Sequence, residues 1–190
     1  MTTNAVQSDY AIAEQRLLRS IIQGQKDIAN RASLGPTVPI RLFQLMRLIG
    51  FGSSVEQMIG PGARRALVYQ SGQRLGQILG AEVLPMSGRG IPDYLRHVSE
   101  LCLALTIGRV ILEKADDARG RFTLRVDECV SCAGITGAQA PICDFEAGLV
   151  GGLFRTVAST DQKPCEVKAI ETRCNAVGDN TCAIDVEILP

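Results

Sequence analysis

The chain has 190 residues, 46% hydrophobic and 21% charged, the profile of a globular domain with room for one good core and too short for two. Twenty basic and twenty acidic residues cancel and no basic stripe stands out, which argues against nucleic-acid binding through phosphate neutralisation. Trp is absent and aromatic residues make up 4%, so any binding pocket is expected to be mostly aliphatic.

The polar start, Met1 to Asp9, lacks a basic stretch followed by an apolar run, so no signal peptide is expected. The longest apolar stretch, Leu101 to Ile107, is too short to span a bilayer. In a cytoplasmic protein, seven cysteines point to metal ligation or redox chemistry rather than to a disulfide framework.

Asp9 can cap a helix running to about Ala32, with Leu17, Leu18, Ile21, Ile22 and Ile28 on one side. Gly35-Pro36-Thr37-Val38-Pro39 breaks it, so residues 1–35 read as a helical extension and residues 36–190 as the main domain. A second helix is expected from Ile40 to Leu48, ended by Gly50 and Gly52. A third begins at Pro61, a favourable first-turn proline, and runs to about Leu79. Pro92 to Thr106 makes a fourth.

From Gly108 the texture becomes β. Arg109–Ala115 and Arg121–Asp127 flank an Asp-Asp-Ala-Arg-Gly turn, with Phe122, Leu124 and Val126 on one side of the second strand. A glycine-rich loop carrying Cys129 and Cys132 follows, then a helix from Cys143 to about Val157. Val167 to Val186 alternates apolar and polar residues around Gly178-Asp179-Asn180, the signature of a closing hairpin. The fold class expected is α+β, with N-terminal helices, a mainly antiparallel four-stranded sheet and a helix inserted before the last hairpin.

Four residues of this C-terminal part form a candidate metal site: Cys143, Glu171, Cys174 and Cys182. Three thiolates and a carboxylate suit a closed tetrahedral zinc site, since zinc accepts both donor types and imposes no geometry of its own. The competing reading is three packed cysteines and a surface glutamate. Glu171 and Cys174 have opposite parity on a regular strand, so both reach one ion only if the strand end bulges. Cys129 and Cys132 form a second thiol site, open to metal chelation, redox chemistry, part of an iron–sulfur cluster, pigment attachment or plain loop packing. His97, the one histidine, reads as a satisfied helix residue. No serine triad, phosphate loop or dinucleotide fingerprint is present, and no catalytic residue is assigned. Gly148 and Gly152 give the Cys143 helix a small-residue face for close packing.

The series Cys143, Gly148, Gly152, Glu171, Cys174, Gly178-Asp179, Cys182 closely resembles the 4-vinyl reductase-type domain. Leu48–Gly52 and Ala66–Gly72 look like that family's opening segment, so the resemblance covers residues 40–190. It implies a fold related to nitric-oxide sensors and vesicle-tethering subunits, usually dimeric, with an apolar cavity between helices and sheet. In phenol- and xylene-responsive activators a similar domain binds an aromatic effector and holds zinc through three cysteines and one glutamate, which implies Cys143, Cys174, Cys182 and Glu171 here. No ATPase or DNA-binding region accompanies it. Relatives associated with bacteriochlorophyll synthesis and photosystem assembly make a tetrapyrrole a further ligand class.

The sequence thus points to a zinc-stabilised, non-enzymatic homodimer that binds a small hydrophobic molecule, through a pocket around Phe43, Met46, Met58, Tyr69, Phe122 and Leu124. The alternatives are a cysteine-ligated redox or iron–sulfur protein and a dimeric assembly factor without a ligand.

Overall fold

The computed structural model describes residues 13–14, 16–17, 20–21, 37–86, 90–159 and 165–189. The chain divides into two compact units, Met1–Pro39 and Ile40–Pro190. In the first, Ala13, Glu14, Arg16, Leu17, Ser20 and Ile21 are helical, and the rest of the expected Asp9–Ala32 helix lies outside the described residues.

The second unit opens with α1 (Ile40–Met46), which does not stop at Gly50 and Gly52 as expected. It continues as a π-helical stretch, Arg47–Ser53, and then as α2, Ser54–Ile59. A glycine costs a helix about 1 kcal/mol without forbidding it. The chain breaks at Gly60, whose φ of 82° leaves the helical region just before Pro61 starts α3, Pro61–Val83. Helix α4 spans Ile91–Ala104, β1 Arg109–Asp116 and β2 Arg121–Asp127. Helix α5 covers Asp144–Ala158, and the chain ends with β3, Glu166–Arg173, and β4, Cys182–Leu189.

The four strands form one antiparallel sheet in the order β1-β2-β4-β3. The α+β architecture read from the sequence is the one observed. Alternation places Phe122, Leu124, Val126, Val167, Ala169, Ile184 and Val186 on the buried face. Helix α5 covers that face, its Phe154 ring 5.0 Å from Phe122. Helix α4 packs beside it against β1, where Ser99 Oγ donates to the Val110 carbonyl at 2.7 Å.

Helices α3 and α5 meet backbone to backbone, the role expected for Gly148 and Gly152. A Cβ on Gly148 would lie 2.0 Å from the Tyr69 carbonyl oxygen, and one on Gly76 would lie 2.0 Å from that of Leu149. No larger residue fits at either position without moving a helix. At its start, α5 is tied to α3 by Asp144, which accepts from Arg64 at 2.9 Å and Arg65 at 3.1 Å. An acidic residue in the first turn also complements the helix dipole.

Candidate metal centre

Three connections converge at the end of the sheet where α5 begins. Strand β2 ends at Glu128, held at φ 55°, and the next residues coil into a tight turn in which the Ala133 N–H donates to the Cys129 carbonyl at 2.9 Å. That turn buries both Cys129 and Cys132. Cys143 is the residue that caps α5. The third connection is the β3–β4 hairpin, with Cys174 before its turn and Cys182, opposite Val126, at the start of β4.

The parity problem is solved as the sequence requires. The β3–β4 register shifts between Glu171 and Arg173, so a bulge rotates the chain and Cys174 turns inward with Glu171. Glu171 shares the buried side of Val167 and Ala169, whereas Ile170 is exposed. Gly178, at φ 107°, closes the turn. Asp179 braces it by accepting the Cys174 N–H at 2.7 Å on its carboxylate and an Asn175 side-chain N–H at 3.0 Å on its carbonyl.

The result is one sulfur cluster. Cys129 Sγ lies 3.8 Å from Cys143 Sγ, Cys143 Sγ 3.9 Å from Cys174 Sγ, and Cys132 Sγ 3.2 Å from Cys182 Sγ. For zinc–sulfur bonds of about 2.3 Å, two sulfurs on one tetrahedral ion sit about 3.8 Å apart. Two four-donor groups have all their ligand atoms within 4.8 Å of one another: Cys143, Glu171, Cys174 and Cys182, and Cys129, Cys132, Cys143 and Cys182. The first is the set the sequence proposes. The pair treated as a second thiol site stands in contact with it, not apart from it.

Glu171 supplies the sharpest observation. Its Oε2 accepts the Cys143 N–H at 2.8 Å, while its Oε1 is buried with no hydrogen-bond partner. Burial pushes the carboxyl up to about 8; the Cys143 N–H opposes the rise and the Cys174 sulfur adds to it. Cys129 and Cys174 lie below the ordinary thiol value, held there first by hydrogen bonding with Cys132. Cys132, Cys143 and Cys182 lie above it, first through Cys129. These sulfurs cannot all ionise side by side unless a cation offsets them, and a divalent ion inverts the balance.

A supporting shell that sequence reasoning missed holds the thiol turn. Gln44, buried on an otherwise apolar helix, donates from Nε2 to the carbonyls of Val130 at 2.9 Å and Ala133 at 3.1 Å. Arg47 donates to the Ile142 carbonyl at 2.7 Å and pairs with Glu146 at 3.2 Å, and Glu146 also accepts the Ser131 hydroxyl. The available signal was Gln44 itself, a polar residue within the run Ile40–Met46. Asn175 Oδ1 accepts from the Cys182 thiol at 3.4 Å.

The proposed pocket residues are not gathered. Phe43, Met46 and Met58 are exposed on the first helices. Phe122 and Leu124 are buried in the core under α5 and α4. Tyr69 borders a different hollow of about 290 Å³ with Asp144, Ala169 and Glu171, its hydroxyl accepting the Ala169 N–H at 3.4 Å. Helices α1 and α2 are pulled toward the thiol turn by Gln44 and Arg47, away from the apolar sheet face. Between α4, α5 and the sheet, the space lined by Leu95, Val98, Leu124, Phe154 and Ile184 is a cavity of about 10 Å³. His97 faces Glu100 at 3.4 Å on the side of α4.

Helices leading into an antiparallel sheet, with one helix set before the last hairpin, define the α+β class of small-molecule sensor domains and vesicle-tethering subunits. The phenol-responsive sensory domain of the transcription activator PoxR superposes with a TM-score of 0.64 at 16% identity, over 96% of this chain and 92% of that one. A vinyl-4-reductase family protein from Methanocaldococcus jannaschii gives 0.59 at 14% identity over the full length of both chains. Trafficking protein particle complex subunit 3 from Naegleria fowleri, covalently bound to palmitic acid, gives 0.56 at 15%, over 79% of this chain and 97% of the other. At these identities the likeness is one of fold. Residues 122–188 match the family model of the 4-vinyl reductase domain, and the chain carries that domain. Among the described residues no helix is long and apolar enough to cross a membrane.

Proposed function

We propose that this protein is a zinc-stabilised binding domain for a small hydrophobic molecule. The observation that carries the metal is the buried, partnerless Glu171 Oε1 beside the sulfurs of Cys143, Cys174 and Cys182. Zinc bound there supplies a cross-link between the start of α5 and the last hairpin, at no cost in redox reactivity. The sulfur spacing favours a bare ion over an iron–sulfur cluster, whose inorganic sulfides hold the cysteines of different irons farther apart. A reduced thiol cluster suits a reducing compartment such as the cytoplasm. Elemental analysis of the purified protein tests the reading: zinc is expected in the wild type and its retention reduced in Glu171→Gln. A protein that takes up no zinc, cobalt or cadmium ends it.

The ligand is supported by the company the fold keeps, a phenol sensor and a palmitate-bound subunit, and by the apolar seam between α4 and the sheet. Ligand pockets usually reach several hundred Å³, so a molecule entering this seam must part α4 from the sheet. We favour a small aromatic or hydrocarbon over a tetrapyrrole on size, and assign no role in pigment or photosystem assembly. Titration with phenol and with palmitate, followed by the methyl resonances of Val98, Leu124 and Ile184, tests this. Shifts confined to surface positions would remove the ligand reading and leave the metal.

We further propose that residues 1–35 are an extension of a binding domain covering 36–190, and that the protein is a homodimer. Leu42, Phe43, Leu45, Met46, Phe51 and Met58 are exposed on the first helices of the second unit, an apolar surface suited to a second copy. Sedimentation showing a monomer at micromolar concentration would exclude the dimer.

A further inference from the structure

The cluster holds more donors than one ion can use. Five buried sulfurs and the Glu171 carboxylate lie together, and the two four-donor groups share two members, Cys143 and Cys182. An ion in the Cys143–Glu171–Cys174–Cys182 group leaves Cys129 and Cys132 buried against thiolates without a metal. An ion in the other group leaves the Glu171 Oε1 as it is, buried and partnerless. Neither choice satisfies the site.

We infer that the centre binds two divalent thiophilic ions bridged by the Cys143 and Cys182 thiolates, one completed by Cys129 and Cys132, the other by Glu171 and Cys174. This rests on the zinc reading above and extends it to the thiol pair that reading does not use. The positions agree with the roles. Cys143 Sγ stands between Cys129 at 3.8 Å and Cys174 at 3.9 Å, as a bridging sulfur must. Cys182 Sγ lies 3.2 Å from Cys132 and belongs also to the group containing Glu171 and Cys174. Both bridging residues sit where chain segments meet, one capping α5 and the other opening β4. Each ion then has four donors in the closed arrangement of structural zinc, and soft sulfur ligands select zinc, cadmium or cobalt over magnesium and calcium.

The charges follow. Five thiolates and a carboxylate carry six negative charges, of which one divalent ion offsets two and a pair offsets four. The remaining charge is that of an ordinary four-cysteine zinc site. Binding releases the protons of the thiols to solvent, and no electron is transferred.

The experiment is metal titration of the full-length chain under reducing, anaerobic conditions, read by native mass spectrometry for zinc and by cadmium-113 resonance for the substituted protein. Two zinc ions per chain are expected, and two cadmium resonances split by scalar coupling through the shared sulfurs. The Cys129→Ala/Cys132→Ala double variant should hold one ion and show one unsplit resonance. A wild type that saturates at one ion, or two cadmium signals without coupling, overturns the shared-thiolate arrangement while the single zinc site stands. Failure to bind any ion overturns both. Should the double variant not fold, the wild-type coupling alone decides.

Discussion

Cys132 and Cys182 are fifty positions apart in the chain, yet their sulfurs lie 3.2 Å apart, one on the turn after β2 and the other at the first residue of β4. Thiols this close are either shared by a metal or ready to be joined. In chelator-stripped protein, diamide should therefore accept two electrons and two protons from this pair and leave a disulfide. Peptide mapping is expected to find Cys132 linked to Cys182, and metal-loaded protein should resist the same treatment. Linkage through the half-exposed Cys165 instead would contradict this.

Removing a ligand should undo the fold locally and then globally. Structural zinc contributes an apparent 10 kcal/mol or so of binding free energy in small domains. Cys174→Ser is therefore expected to lower the melting temperature strongly and to abolish its dependence on added zinc. Cys102→Ser provides the contrast. Its thiol, pushed up to about 11 by burial, lies in the core under α4, so the variant should lose some stability and keep its metal.

The contact between α3 and α5 makes a sharp steric prediction. Gly76→Ala places a methyl 2.0 Å from the Leu149 carbonyl oxygen and should cost on the order of 1–3 kcal/mol in urea unfolding. Gly62→Ala, on the same helix, meets nothing within 4 Å and should be neutral or slightly stabilising. Equal effects from both would mean the helices are not in backbone contact.

Arg47 and Glu146 predict a dependence on pH. Burial raises the Glu146 carboxyl above its ordinary 4.5, and the nearby Arg47 pulls it down. In Arg47→Ala the folded state should hold the Glu146 proton more tightly still, while the unfolded chain releases it near the ordinary value. Raising the pH from about 4.5 then favours unfolding, so the variant should lose stability progressively relative to wild type across that range. Adding Glu146→Gln should flatten the difference. A pH-independent gap between Arg47→Ala and wild type would show that Arg47 acts only through its bond to Ile142.

Much of this was legible in the sequence because it follows from local periodicity. The alternation of Phe122, Leu124 and Val126 gave the sheet face, and the parity clash of Glu171 with Cys174 announced a bulge before any coordinate did. What the sequence could not carry was convergence. That Cys129 and Cys132 join the other thiols depends on β2 pairing with β4, which places Val126 opposite Cys182, a non-local register. Gly50 and Gly52 misled because a glycine weakens a helix without ending it, and the tertiary bonds of Gln44 and Arg47 hold that stretch together. The pocket failed for a related reason: apolar residues on α1 and α2 look like cavity lining until those bonds fix which way the helices lean.

The interlock of Gly76 with Leu149 and Gly148 with Tyr69 has a mechanical consequence. Carbonyls lodged against neighbouring backbone leave no room for sliding, so α3 and α5 must travel as a single rod, anchored at one end by Asp144 and the metal-bearing Cys143. Whatever opens the seam over Leu124 and Ile184 has to move α4, which rests on the sheet through β1. The molecule is thus divided into a fixed frame and one hinged wall, and an entering ligand would register as a displacement of Ile91–Ala104 while the thiol centre stays still.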